Sequence, residues 1–194
     1  MNFNRYLDLA GKHALLSASN FHWIRYSEDR LEEYYQTCAA AELGTKLHEL
    51  AKDLITLGVK LPNVNETLNM YVNDAIDLGM TPEVVLYYSP NCFGTADAIL
   101  FNEETKFLHI HDLKTGKHPA SMDQLMVYAA LFCLEYNYNP YDIHIELRIY
   151  QMGDIRTVHP TGDDVEFVMN RIVVGDDQIN KLKEGRDWRG LQLA

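Results

Sequence analysis

The chain of 194 residues carries 28 acidic and 17 basic side chains, so its formal net charge is −11, and 47% of its residues are hydrophobic. This share of apolar side chains excludes disorder as the dominant state, because their burial offsets the entropy lost on ordering. The negative charge argues against broad, sequence-independent adhesion to phosphate backbones, so any nucleic-acid contact has to depend on one confined site or on a partner.

The cysteines and the N-terminus indicate a reducing compartment. Cys38, Cys92 and Cys133 are widely spaced and form no CxxC pair, which argues against a disulfide framework or a structural zinc site. Three thiolates in one chain do not supply the four that an iron–sulfur cluster needs. The N-terminus is too polar for a secretory signal, and no apolar run approaches the roughly 20 residues that cross a bilayer. We therefore expect a cytoplasmic protein without a membrane partner.

The first 80 residues are predicted to be mainly helical. A first helical region covers 6–57, in which leucines recur at spacings of three and four and predict one buried face. These leucines are Leu43, Leu47, Leu50, Leu54 and Leu57. A second helix is predicted over 66–78, with Asn65 as its N-cap and Gly79 as its stop.

The second part of the chain alternates strands and helices. Three runs separated by short polar turns predict an antiparallel meander: they cover 82–89, 92–101 and 106–113. A helix over 121–136 then leads to a strand over 143–151, and this long connection allows the third and fourth strands to be parallel. A last helix is predicted over 163–182.

These elements predict a single α/β domain over 1–194, with a mixed central β-sheet flanked by helices. Its helical N-terminal part would cover about 1–80, and its catalytic sheet and helices about 81–194.

The residues that carry chemistry lie on the second and third predicted strands. Asp112 and Lys114 are two residues apart on one strand and therefore share a face, and the neighbouring antiparallel strand brings Asp97 beside them. Two carboxylates that converge on one point repel each other unless a cation joins them. Hard oxygen ligands favour Mg²⁺ or Mn²⁺, and a nearby ammonium can orient water or stabilise phosphoryl charge. Alternatively, Asp112 and Lys114 form an exposed ion pair at a strand end.

Five elements in order resemble the PD-(D/E)XK nuclease superfamily, and within it the RecB-like exonucleases of phage and prophage type, which are related to CRISPR-associated exonucleases. The resemblance covers about residues 16–132. Its elements are the Ser-rich segment before the first helix with Ser19, the Gly44-x-x-x-His48 spacing, Asp97, the Asp112-x-Lys114 pair, and the Gln124-x-x-x-Tyr128 spacing.

The resemblance implies a restriction-endonuclease-like core and a set of functional residues. Metal ligands for Mg²⁺ or Mn²⁺ would be His48, Asp97, Asp112 and the backbone carbonyl of Leu113. Lys114 would act in catalysis together with Asp97 and Asp112, and Gln124 would hold the lysine or the DNA backbone. DNA contacts would come from Ser19, Thr115, Lys117 and Tyr128, although Tyr128 is equally well explained as a core residue.

Other residues have open alternatives. Glu83 is either an outer carboxylate of the site or a surface residue. His109 and His111 are expected on the sheet face opposite Asp112, which makes His111 a poor ligand for that site. A basic tail with Lys181, Lys183 and Trp188, together with Arg186 and Arg189, either touches DNA or is a solvated helix end.

The resemblance implies a divalent-metal-dependent DNA exonuclease in phage or prophage recombination or DNA end processing, located in the cytoplasm of a bacterial host. Its partners would be DNA and a phage recombination or single-strand-binding protein, and a homo-oligomer is possible in this family. The alternative is a nuclease-fold protein that binds DNA or assists recombination without cleaving. A plain globular domain with coincidental motifs is the third interpretation.

Overall fold

The computed structural model describes residues 6–9 and 11–184, which divide into two compact units on either side of the bond between Lys46 and Leu47. Each unit is described by itself. Helix α1, Glu28–Leu57, begins in the first unit and ends in the second. None of the helices in the described ranges combines the length and the apolar character that crossing a membrane requires.

The first unit is less helical than its sequence predicts. Before α1 it contains only two short 3₁₀ helices, Leu7–Leu9 and Phe21–Arg25, in the described part of the chain. The prediction of a mostly helical segment over 6–57 is therefore wrong before residue 28. Local polar groups explain the difference, because the Ser17 hydroxyl accepts a hydrogen bond from the Ser19 amide at 3.3 Å, and such bonds compete with helix formation.

The second unit carries the sheet. After α1 its elements are α2 (Thr67–Leu78), β1 (Thr81–Ser89), β2 (Cys92–Asn102), β3 (Phe107–Lys114), α3 (Asp123–Tyr136), β4 (His144–Gln151), β5 (Asp154–Val158) and α4 (Gly162–Glu184). Helix α2 starts at an N-cap Glu66 that makes no side-chain capping bond, so the predicted Asn65 cap is wrong, whereas Gly79 ends the helix in a left-handed conformation as predicted.

The five strands form one mixed sheet in the order β1-β2-β3-β4-β5. β1, β2 and β3 are an antiparallel meander, and β3 pairs with β4 in parallel through the α3 crossover. The predicted α/β fold with a mixed central sheet flanked by helices is confirmed. Helix α2, which belongs to the first 80 residues, packs on β3 and β4. This part of the helical region is therefore in the same unit as the sheet.

β5 is absent from the sequence prediction. It pairs antiparallel with β4 across a two-residue turn, Met152 and Gly153, whose φ angles are 52° and 74°. Two successive positive φ angles are typical of the tight turn that joins twisted antiparallel strands. The strand itself is short and mostly polar, so its sequence carries little hydrophobic alternation.

The core lies on both faces of the sheet. One apolar cluster includes Ile110, Leu125 and Ile149 and joins the sheet to α3 and α4. The second cluster joins the sheet to α1 and α2 and includes Leu113 and Tyr150. Asp112 and His111 are neighbours in β3 and therefore face opposite clusters.

The buried face of α1 differs from the predicted leucine face. In the second unit, Leu50 is 45% exposed and Leu57 is 74% exposed, whereas Ala51 and Ile55 are buried. The small Ala51 side chain allows the helix to approach its neighbours closely, so burial follows the positions of residues 51 and 55. His48 lies one turn before them on this buried side, not beside it.

Candidate metal centre

Asp97 lies where β2 and β3 separate. The ladder between these strands ends at the pair Ala98 and His111. Beyond it, the Leu113 amide donates a hydrogen bond to Asp97 Oδ2 at 2.9 Å. The carboxylate thus takes the place of a backbone carbonyl that the diverging strand no longer supplies, and its position follows directly from the strand geometry.

His48 approaches the same carboxylate oxygen from α1. Its Nδ1 lies 3.3 Å from Asp97 Oδ2, and its side chain is 30% exposed. The hydrogen bond to Asp97 raises the pKa of His48 despite the opposing effect of burial. A histidine that is held by a carboxylate in this way is oriented to bind a cation when it is neutral.

Glu83 completes this group. Its neighbours Pro82 and Val84 pair with Ala98 and Ala96, so Glu83 falls opposite Asp97. Its φ angle is 54°, which is rare for a residue with a side chain and interrupts the regular strand. Ligand atoms of His48, Glu83 and Asp97 all lie within 4.8 Å of one another. Of the two alternatives for Glu83, this position favours an outer carboxylate of the site over a plain surface residue.

Asp112 is the most buried carboxylate of the centre. Its side chain is 1% exposed, and both of its oxygens lie near Lys114 Nζ, at 3.1 and 3.0 Å. Burial first, and then the negative charge of Asp97, raises the pKa of Asp112 to about 6, while Lys114 opposes the shift. Oδ2 has no directed hydrogen bond among the described residues, so this oxygen is available to a further cation.

Lys114 is held by two residues of α3. Its ammonium donates a hydrogen bond to Gln124 Oε1 at 2.8 Å, and Gln124 Nε2 donates to the Tyr128 hydroxyl at 2.9 Å. The Tyr128 ring fits against Gly94, where an added Cβ would lie 2.9 Å from ring atom Cε1. Tyr128 is 8% exposed, so the structure shows the core position that the sequence left as one alternative.

Tyr71 of α2 also borders the centre and was not predicted from the sequence. It is 2% exposed. Burial raises the pKa of its hydroxyl, and the charges of Asp97 and Asp112 raise it further. Because the chain has 12 tyrosines and no motif marks this one, only the packing of α2 on the sheet identifies it.

The loop after β3 carries Thr115 and Lys117, both exposed. They line a cleft of about 240 Å³ together with Lys114. Gln151 fixes this loop, since its Nε2 donates to the carbonyls of Gly116 and His118 at 2.7 and 2.8 Å. Gln151 was not predicted from the sequence. It is the β4 residue that pairs with Lys114 of β3, so aligning the two predicted parallel strands would have placed it beside the lysine.

Some predicted residues are not among the contacts described for this group. Ser19 belongs to the first unit, where its hydroxyl is 2.7 Å from that of Ser17. A larger cleft, about 710 Å³, also lies in the first unit and contains no predicted site residue. For Leu113 the contact to the centre is made by the amide, and the carbonyl remains a prediction. Trp188 and the two arginines of the basic tail lie outside the described residues.

The donor set fits a hard divalent cation. Glu83, Asp97 and His48 bring ligand atoms within 4.8 Å of one another. Asp112, which contacts Lys114, is outside this group but near enough for the charge of Asp97 to raise its pKa. Such an excess of negative charge is stable when a metal ion joins the oxygens. The mixed oxygen and nitrogen ligands suit Mn²⁺ at least as well as Mg²⁺.

The fold and this cluster define an α/β protein with a carboxylate–histidine centre where β2 and β3 separate. The family described as "Protein of unknown function (DUF2800)" matches residues 83–167, which is less than half of the chain. The match runs from Glu83 past β5 and includes Asp97, Asp112, Lys114 and Gln124. No curated protein and no solved structure matches the chain.

Proposed function

We propose that the protein is a divalent-metal-dependent deoxyribonuclease that hydrolyses phosphodiester bonds, with exonuclease action as its mode. The observation that carries this proposal is the group of His48, Glu83 and Asp97, whose ligand atoms lie within 4.8 Å of one another, beside the buried Asp112–Lys114 pair. Carboxylates with an adjacent ammonium are the groups that phosphoryl transfer requires, because charge has to be stabilised on oxygen.

His48, Glu83, Asp97 and Asp112 would hold Mg²⁺ or Mn²⁺. When bound, the ion supplies a Lewis acid and a water of lowered pKa.

The remaining steps belong to side chains. Lys114 supplies a fixed positive charge that orients the attacking water and stabilises negative charge on the phosphoryl oxygens. Gln124 positions this ammonium by accepting its hydrogen bond, and Tyr128 positions Gln124. This chain of contacts costs little reorganisation during the reaction, which supports a catalytic role for the lysine over a surface ion pair.

The loop beside Lys114 supports DNA as the substrate. Thr115 and Lys117 are exposed at the cleft, where a hydroxyl and an ammonium can contact backbone phosphates. Because the whole chain has a net charge of −11, we expect affinity for DNA to be weak without metal and strongly dependent on salt. A role in phage or prophage recombination, with a recombination or single-strand-binding partner or as a homo-oligomer, belongs to the same proposal.

Degradation of end-labelled linear DNA tests the proposal. Purified protein is incubated with single- and double-stranded substrates and with Mg²⁺, Mn²⁺ or a chelator, beside an Asp97→Asn variant. This substitution retains an acceptor for the Leu113 amide but removes the charge. We expect metal-dependent product that the chelator and the variant both abolish. Absence of product with every substrate and metal would overturn the proposal that the protein is a nuclease. Metal-dependent DNA binding without product would establish the non-cleaving alternative.

A further inference from the structure

A second cluster of metal-ligating side chains lies on the opposite face of β3. His109 and His111 are two residues apart on that strand, and Glu146 of β4 pairs with His109 in register. Ligand atoms of these three residues lie within 4.8 Å of one another. Their side chains point to the face of β3 opposite Asp112, toward the apolar cluster that α2 covers.

The hydrogen bonds of His111 fix its tautomer. The Tyr150 hydroxyl donates its single proton to Asp74 Oδ2 at 2.7 Å. Its oxygen, 3.3 Å from His111 Nδ1, therefore accepts a proton from the imidazole. Nδ1 of His111 is thus the protonated nitrogen, and Nε2 carries a lone pair.

That lone pair is buried and has no partner. His111 is 0% exposed, and its Nε2 makes no hydrogen bond within the part of the chain that the structure describes. A buried acceptor left unpaired costs free energy. An imidazole whose Nδ1 donates to a second group while Nε2 is free has the arrangement found in metal-bound histidines.

The other two groups are spaced for the same ion. His109 Nδ1 lies 3.0 Å from Glu146 Oε1. Two ligands at about 2.0 Å from one tetrahedral zinc ion lie about 3.3 Å apart, so a small shift would allow both to bind it. His109 would bind the ion through Nδ1, with its proton on Nε2.

Arg148 is the competing cation, and its contact with Glu146 is poorly directed. Arg148 Nε lies 2.8 Å from Glu146 Oε1 but forms no hydrogen bond there among the described residues. The same guanidinium also reaches Asp74, with Nη1 3.4 Å from Oδ2. Asp74 therefore offers the arginine a second anion when a metal ion takes Glu146.

We propose that His109, His111 and Glu146 form a second metal site, selective for a nitrogen-preferring divalent ion such as Zn²⁺ and independent of the carboxylate centre. Two imidazoles and one carboxylate are a donor set that zinc uses with water as a fourth ligand. The ion would join β3 to β4 beneath α2. This proposal goes beyond the nuclease activity and does not depend on it.

Cobalt spectroscopy in the Asp97→Asn background tests this site, because that variant lacks the carboxylate centre. We expect Co²⁺ to produce visible d–d bands of a low-coordinate nitrogen and oxygen site, and Zn²⁺ to displace them. Adding His109→Ala should weaken binding by roughly 100-fold or more, beyond the 10–100-fold loss typical of outer-shell changes. His144→Ala, which removes an exposed histidine at the start of β4, is the matched control and should bind normally.

A fold readout keeps the test decisive. Circular dichroism of each metal-free variant confirms folding, and Glu146→Gln serves in place of His109→Ala if the alanine variant does not fold. Absence of cobalt bands in the Asp97→Asn protein would overturn the proposal. Equal affinity in folded Glu146→Gln or His109→Ala, or a loss confined to His144→Ala, would overturn it as well.

Discussion

The two faces of β3 solve the problem of buried charge in different ways. On one face, Asp112 contacts the Lys114 ammonium and lies close enough to Asp97 for that charge to raise its pKa, and Asp97 lies beside Glu83. On the other face, Glu146 contacts an arginine and two histidines, at distances of 2.8 to 3.7 Å. On the second face, Arg148 contacts both Glu146 and Asp74, whereas on the first face Lys114 contacts only Asp112 among the carboxylates of the described residues.

This difference in the contacts of the carboxylates indicates that the first face is the one that requires a hard cation. Charge of one sign in a buried place has to be neutralised by a proton or by a metal ion. On the first face, the pKa of Asp112 is raised to about 6, so a proton neutralises this carboxylate below that pH. On the second face, the buried Nε2 of His111 has no hydrogen-bond partner among the described residues, and such a nitrogen suits a softer, nitrogen-preferring ion.

The largest expected effect comes from Lys114, the lysine that contacts Asp112 on the first face. Lys114→Ala should lower the rate of DNA cleavage by roughly 10²–10³-fold, the range for loss of one preorganised charge-stabilising group. Lys117→Ala, an exposed lysine of the adjoining loop, should mainly raise KM. Both are measured with labelled DNA under saturating metal. A fully active, folded Lys114→Ala protein would remove this lysine from the mechanism.

Removing one tyrosine hydroxyl from each face separates stability from activity. Tyr150→Phe leaves Asp74 and His111 without their shared partner and should cost about 1–3 kcal/mol of unfolding free energy. Tyr128→Phe removes only the acceptor of Gln124 and should cost about 0.5–1.5 kcal/mol while slowing cleavage several-fold. Urea unfolding and the DNA assay measure the two effects. Equal losses of unfolding free energy in Tyr150→Phe and Tyr128→Phe, with unchanged cleavage in both, would contradict the different roles given to the two hydroxyls.

Acid should affect the two faces in opposite directions. The pKa of His111 is lowered to about 3, first by burial and then by Arg148. Its stabilising contribution is present above the ordinary pKa of 6.5 and is lost as the pH falls from there toward 3. Asp112 has a raised pKa, so its contribution is present below 3.8 and is lost as the pH rises through about 6.

Urea unfolding between about pH 4 and pH 8 in chelator checks this sign difference. We expect His111→Asn to flatten the loss of stability on acidification, and Asp112→Asn to steepen it. Mn²⁺ affinity should also fall below about pH 6, because a bound ion has to displace the proton of Asp112. Identical pH profiles for the two folded variants would show that the faces do not differ in this way.

The smallest effect is expected at the edge of the first face. Gln151→Ala removes the two bonds that hold the loop of Gly116 and His118, and should raise KM for DNA a few-fold with little change in kcat. Steady-state kinetics measures this, and limited proteolysis of the loop gives a second readout. A fall in kcat at constant KM would place Gln151 in another role.

Local patterns were sufficient to predict four of the five strands and the placement of Asp112 and Lys114 on one face of β3. The short turns before β2 and β3 allow only a meander, and the spacing of two between Asp112 and Lys114 fixes their common face. The same periodicity correctly predicts that His111 faces away from them. These features depend on neighbours in sequence, which is why the chain alone determines them.

The features that escaped prediction depend on tertiary geometry. For Glu83, the sequence left open an outer carboxylate or a surface residue, and the positive φ angle that places it opposite Asp97 has no local signal. The buried side of α1 follows Ala51, where packing favours a small side chain over the exposed Leu50. Tyr71 borders the centre only because α2 packs on the sheet. β5 follows from the turn at Gly153, since its own residues show weak alternation.

Titration calorimetry with Mn²⁺ tests the central claim, that the first face holds a divalent cation, most directly. The metal-free protein, Asp97→Asn and Asp74→Asn are compared; Asp74 is a carboxylate that contacts Tyr150 and Arg148 on the second face. We predict that the native protein and folded Asp74→Asn bind Mn²⁺, and that Asp97→Asn loses binding although it folds. No Mn²⁺ binding by the native protein, or unchanged binding by Asp97→Asn, would contradict the metal centre.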